Sequence, residues 1–178
     1  HLAEGLKNEL RHCYTSTGRH ESVAEHSWRI TLMAYFLKDE FPEADMNRVI
    51  RMCLIHDLGE AFTGDIPAFD KTEADSKHED AIFDRWVQTL PAETKREFSA
   101  LLAEMNGLET LESRIYKALD KMEAVIQHNF SDLSTWIPRE YELNKTYAFQ
   151  NVLFSEWLTV LRNEMLNDTL EKIEKEGR

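Results

Sequence analysis

Apolar residues recur along most of this chain at spacings of three and four, the period of a helix with one buried face, so the pattern predicts a mostly helical protein. Leu2 to about Tyr14 reads as a short helix, followed by the polar stretch TSTGRHES. Ser22-Val-Ala-Glu25 has the capping-box pattern and opens a second helix that runs to about Phe41. Asp45 is placed to cap a third, in which Val49, Ile50, Met52, Cys53, Leu54, Ile55 and Leu58 cover most of the circumference. Such a helix is expected at the centre, giving way around Phe62 to the turn-like TGDIP. Two amphipathic helices follow, one from Thr72 to Leu90 stopped by Pro91, the other from Ala92 to Asn106 with Gly107 as its stop. Leu111, Ile115, Leu119, Met122 and Ile126 trace one face of a helix that reaches Asn129. After a loop holding Trp136 and Pro138, a last helix is predicted from Asn144 into the 170s. Nothing resembling a repeat or linker divides the chain, so the expectation is an all-α bundle of six to eight helices forming one domain over residues 1–178.

Composition narrows the function. Six glycines and four prolines are too few for an all-β fold or a glycine-rich nucleotide loop. A net charge of −12 gives long-range attraction to a nucleic-acid backbone or an anionic membrane the wrong sign, so no polymeric nucleic acid and no membrane is expected as partner. No run of ~18 apolar residues occurs, and the opening HLAEGLKNEL is charged. Cys13 and Cys53 form no CxxC or Cys/His finger spacing, which fits a reducing cytoplasm.

The chemistry concentrates where polar groups interrupt apolar stripes. His56 follows Val49, Met52 and Cys53 at offsets of seven, four and three, and Asp57 aligns with Ile50, Cys53 and Leu54, so both point toward the core. His26 shares the stripe of Ile30, Met33 and Leu37, and Asp120 aligns with Tyr116 and Ala124 at the edge of another. A buried unpaired carboxylate costs several kcal/mol or takes up a proton. Two imidazoles and two carboxylates converging on one divalent cation would compensate one another and leave coordination positions open to water, as in a catalytic site. A lone buried His, or an HD dipeptide by itself, is more often structural than functional, and it is the four together that carry weight. His78, in the charged SKHED, reads as a solvated helix face, and His128 has no acidic neighbour at ligand spacing. Phe154, Trp157 and Leu161 form a stripe for the core or a dimer contact.

Three segments in this order, ESVAEHSW, HDLGEAFTGDIP and KALDKMEAVIQ, resemble the H…HD…D signature of the HD-domain metal-dependent phosphohydrolases, and among them the 5'-deoxynucleotidase branch. The resemblance extends from about Leu6 to about Tyr147. It implies His26, His56, Asp57 and Asp120 as ligands of one divalent ion, in agreement with the charge argument. Mn, Fe, Co, Ni, Zn or Mg suits such a set. It further implies Glu60 and Asp65 as catalytic acids, and Glu60, four residues after His56, would project from the same side of a continuing helix. For the substrate phosphate the candidates are Arg11, which matches the family's substrate-contacting arginine, and Arg19. Glu104 matches a substrate-side acid across a one-residue gap. Where some members carry a tryptophan beside the arginine, this chain has His12. The implied activity is release of the 5'-phosphate from (deoxy)ribonucleoside monophosphates by a protein that, like other members, forms a homodimer. The rivals are an HD phosphodiesterase, a nucleoside triphosphatase, and a metal-stabilised module that binds a nucleotide without turning it over.

Overall fold

A computed structural model of the chain describes residues 1–176, and those residues form a helical bundle with one small hairpin. Eight helices of seven residues or more and two single turns are described: α1 Leu2–Asn8, α2 Val23–Phe36, α3 Met46–Ile55, α4 Glu60–Thr63, α5 Glu73–Val87, α6 Ala92–Gly107, α7 Leu111–Phe130, α8 Pro138–Thr146, α9 Phe149–Val152 and α10 Glu156–Glu176. The hairpin pairs β1 (Leu10–Tyr14) with β2 (His20–Ser22), antiparallel and with a register shift.

Helix starts follow the local chemistry. Ser22 accepts from the Glu25 N–H while Glu25 accepts from the Ser22 N–H, and Thr72 and Asp75 do the same at the head of α5. Asp45 and Thr110 cap α3 and α7 through their side chains.

The core lies between α2, α3 and α7, where Ile30, Val49, Met52, Cys53, Ile115, Leu119 and Met122 are fully shielded from water. Each such aliphatic side chain contributes about 1.5–3 kcal/mol by leaving water. α7 is the spine, packing against α2, α3, α6, α9, α10 and β1. The third helix is less uniformly buried than its composition predicts, since Leu54 stays 56% exposed.

Several boundaries differ from the sequence expectation, each for a tertiary reason. The predicted first helix ends at Asn8, because Leu10–Tyr14 finds a strand partner in His20–Ser22 and Tyr14 O accepts from Gln127 Nε2 on α7 at 2.5 Å. α2 stops at Phe36 and leads into a 3-10 turn over Lys38–Glu40. Gly107 is still helical, and the left-handed residue that ends α6 is Leu108 (φ 51°). The predicted last helix is three: Ala148 takes a positive φ of 69° between α8 and α9, and α10 begins only at Glu156. Phe154 and Leu161 pack on the core as expected, while Trp157 remains exposed.

Arg162 secures that break. Fully buried on α10, it donates from Nε to Tyr147 O at 2.8 Å and from a terminal nitrogen to Asn144 O at 2.6 Å, and its guanidinium lies 4.3 Å from the Phe149 ring centroid. These carbonyls are left over at the end of α8, so the cation satisfies groups that the helix cannot. Replacing it, Arg162→Met, orphans both carbonyls and is expected to lower the unfolding free energy by about 2–4 kcal/mol, read by urea denaturation. Unchanged stability would mean that α8 and α9 are held by packing alone.

Candidate metal centre and cleft

His26 comes from the first turn of α2, His56 and Asp57 from the end of α3, and Asp120 from α7, so the three central helices each deliver part of one cluster. His56 is the residue that closes α3. The HDLG segment then continues as turns, with Leu58 N–H donating to Ile55 O and Glu60 N–H to Asp57 O at i to i+3 spacing. Glu60 therefore opens α4 instead of riding on a continuous α3, but the backbone stays right-handed and keeps it on the cluster's side.

The donor atoms converge. His56 Nε2 lies 3.2 Å from His26 Nε2, 2.9 Å from Asp57 Oδ2 and 3.7 Å from Asp120 Oδ1. His26 Nε2 lies 3.3 Å from Asp120 Oδ1 and 3.7 Å from Asp57 Oδ2. Ligands at ~2.1 Å from a common ion are about 3.0 Å apart at right angles and about 3.4 Å apart in a tetrahedron. The observed spacings bracket those values, and two imidazoles with two carboxylates suit a first-row divalent metal, so the residues fit the ion. The other ring nitrogens are engaged: His56 Nδ1 lies 3.0 Å from Cys53 O, and His26 Nδ1 hydrogen-bonds Glu123 Oε2.

Electrostatics points the same way. Burial and Arg11 oppose a charge on His26, yet Glu123 and Asp120 outweigh them and bring its imidazole up to about 10. Burial would raise Asp57, but His56 and His26 hold it well below the usual carboxylate range. Asp120 is likewise held down against burial, chiefly by Lys117, whose Nζ donates to its Oδ2 at 2.7 Å. Arg11 stands 3.7 Å from Asp57 Oδ2. The protein itself thus supplies part of the compensating charge that the sequence argument gave wholly to a dication. The field that keeps a proton on His26 among carboxylates also favours a metal cation there.

Asp57 and Asp120 form part of the wall of a cleft of about 840 Å³ counting its open mouth. Glu60, Asp65, Arg11 and His12 line it too. Glu60 is buried, and its Oε2 has no hydrogen-bond partner. Burial, with Asp57 and Asp65 adding repulsion against Arg11, pushes its carboxyl up to about 10. Asp65 is also raised, first by burial. It reaches the cleft through Gly64, at φ 82°, a left-handed conformation that an L side chain resists; a Cβ there would also stand 3.3 Å from Glu9 Oε1, the acceptor of the Asp65 N–H at 3.1 Å. Arg11 Nε lies 3.2 Å from the buried Glu21 carboxylate.

Two candidates lie elsewhere. Arg19 is exposed and paired with Glu25 at 2.5 and 2.9 Å, facing a different surface depression. Glu104 sits on α6, where it pairs with Arg48 and accepts from the Thr110 hydroxyl at 2.6 Å. Neither lines the cleft, because each finds its counter-charge or hydrogen-bond donor outside it.

Sequence reasoning missed other cleft residues. Lys71, Lys117 and Lys121 line it, so an acidic protein gathers cations around this one opening. Only Lys117 left a trace in the sequence, three residues before Asp120. At the far end, Glu140 Oε1 lies 3.0 Å from His12 Nε2 and 3.2 Å from His128 Nε2, with Cys13 Sγ at 3.3 Å and Asn144 Oδ1 at 2.9 Å from the His128 ring nitrogens. His128 thus has an acidic neighbour, supplied by α8 at no ligand spacing in the chain. His78 is exposed, as expected.

A helical domain presenting His, His-Asp and Asp from three helices beneath a cleft defines a class of metal-binding fold. The chain belongs to the HD domain family, whose model matches residues 3–159. It is 31% identical over 116 residues to 5'-deoxynucleotidase HDDC2 of Homo sapiens, covering 64% of this chain and 56% of that protein. It is 33% identical over 116 residues to the HDDC2 of Xenopus laevis, covering 64% and 57%. The alignments therefore span less than two thirds of the length of these curated relatives. A solved structure from Magnetospirillum magnetotacticum MS-1, described as a predicted metal-dependent phosphohydrolase, superimposes with a TM-score of 0.81 at 28% identity, over 96% of this chain and 88% of that one. The resemblance drawn from the three sequence segments is borne out.

The His128 contacts yield a pH prediction. Burial disfavours its charge, but Cys13 and Glu140 outweigh burial and bring it up to about 10, above the unfolded value near 6.5. A raised folded pKa stabilises fully below the unfolded pKa and is lost as pH rises through the folded one. The stability difference between wild type and His128→Gln, from urea unfolding, is expected to be largest near pH 6 and mostly gone near pH 10. A pH-independent difference would mean that His128 is neutral in the fold.

Proposed function

We propose that this cleft hydrolyses the 5'-phosphate of (deoxy)ribonucleoside monophosphates, with His26, His56, Asp57 and Asp120 as the ligands of one divalent ion. The observation that carries the reading is the convergence of those donors at a cleft that also holds a buried carboxyl with an unpartnered oxygen and several cations. When bound, a divalent ion supplies Lewis-acid polarisation of a phosphoryl oxygen and lowers the pKa of water.

This chain's own groups do the rest. Arg11, anchored by Glu21, faces the phosphate and offsets its charge. Lys121 has no ion-pair partner among the described residues and draws the anion in. Glu60 carries the proton that the leaving 5'-oxygen needs, at the Oε2 that nothing else engages. Asp65, brought in by the Gly64 turn, orients water or accepts its proton. Phe69, Leu143 and Tyr147 with His12 enclose the nucleoside end, where His12 packs edge-on against Phe69 at 5.5 Å. The 5'-deoxynucleotidase names of the relatives support this substrate class.

No helix among the described residues is long and apolar enough to cross a membrane. Two free, buried cysteines fit a cytoplasmic setting. Trp28, Tyr35 and Phe36 stand exposed on α2 with Phe130 beside them, a face suited to a second copy of the chain.

A phosphate-release assay with deoxyribonucleoside and ribonucleoside monophosphates, a triphosphate and a cyclic dinucleotide, each with Mn, Co, Zn or Mg, is expected to show turnover confined to the monophosphates. Turnover of the diester or triphosphate alone, or of nothing, would overturn the reading in favour of its rivals. Glu60→Gln is expected to lower kcat by about 10²–10⁴-fold while metal content stays at one ion per chain. An unaltered rate would remove the acid from Glu60.

A further inference from the structure

Behind the four donors lies a layer of charged side chains around Glu123, which does not itself line the cleft. Glu123, one helical turn after Asp120 on α7, is fully buried, and both its oxygens are taken: Oε2 by His26 Nδ1, Oε1 by Arg29 at 2.9 Å. We propose that Glu123 is a positioning residue, which by accepting the Nδ1 proton of His26 presents the Nε2 lone pair of that imidazole to the metal. The inference rests on the reading of the four donors as a metal centre.

The geometry leaves His26 little choice. One ring nitrogen of a neutral imidazole carries hydrogen and the other a lone pair, and a carboxylate can only accept. With Glu123 on Nδ1, the hydrogen belongs there and the lone pair belongs to Nε2, the atom facing His56, Asp120 and Asp57. Arg29 holds the carboxylate from its other side, so the acceptor is fixed and the ring cannot turn without breaking its buried hydrogen bond to Glu123. A carboxylate partner also makes the imidazole a better electron donor.

Glu21 lies in the same layer, its carboxylate close to those of Glu123 and to His26, and the trio has the composition of a second metal site. The surrounding charges argue for a hydrogen-bonded layer instead. Arg29 meets Glu123 and Arg11 meets Glu21, so two guanidiniums already offset the two acids, and His26 Nδ1 is committed as a donor. A second cation there would have to displace that proton and face both guanidiniums.

Two measurements test the proposal, with Zn²⁺ as a diamagnetic probe. In histidine-selective ¹H–¹⁵N NMR of the Zn²⁺-loaded wild type, His26 is expected to be protonated on Nδ1 and ligating through Nε2. The opposite tautomer would overturn the inference, and this experiment needs no variant to fold. In equilibrium dialysis, Glu123→Gln is expected to weaken Zn²⁺ binding by about 10- to 100-fold relative to wild type, with the KM of the loaded enzyme little changed. A variant that folds by circular dichroism and binds Zn²⁺ with the wild-type Kd would refute the role of Glu123 while leaving the metal centre intact. A wild type that binds no metal would refute the centre itself.

Discussion

Two imidazoles in contact with each other, each within 4 Å of both Asp57 and Asp120 and set among apolar helices, set the terms for the rest of this molecule. Each charge carries a desolvation penalty of several kcal/mol, and partners must offset it. The fold does so in layers. Lys117 and Arg11 face the aspartates from the cleft side, while Glu123 meets His26 from behind with Arg29 beyond it. A divalent ion among the donors, as proposed, would complete the balance between the imidazoles and the ionised acids.

The surrounding elements make this charge cluster usable. α7 carries Lys117, Asp120, Lys121 and Glu123 within two turns, so one rigid rod holds a proposed ligand, its counter-ion, a cleft cation and the buried support. The hairpin brings Arg11 and His12 over the donors, and the turn at Gly64 brings Asp65 beside them. α8 closes the far end with Leu143 and Asn144, and it stays in place because Arg162 satisfies its last carbonyls. Electrostatics at the centre and backbone satisfaction at the rim are thus coupled through the same few helices.

What the sequence revealed was what is local. Caps at Ser22 and Asp45 involve residues three apart and are readable, as are the stripes that put His26, His56 and Asp57 toward the core and Asp120 at the edge of another. The strand at Leu10–Tyr14 was misread as helix because its partners, His20–Ser22 and Gln127, lie outside its own window. Ala148 adopts a positive φ without the glycine that would announce it, so the break between α8 and α9 left no mark. Arg19 and Glu104 look like free charges in a list of residues, but Glu25 and Arg48 reach them first. The His12–Glu140 contact joins segments more than a hundred residues apart and the His128–Glu140 contact crosses from α7 to α8, and nothing in their spacing signals either.

The central claim is that these four side chains hold one divalent ion. Crystals grown with Mn²⁺ and measured above and below its absorption edge test this most directly. One anomalous peak per chain within bonding distance of His26 Nε2, His56 Nε2, Asp57 and Asp120 is the predicted result. No peak there, or a peak bound by other residues, would contradict the account.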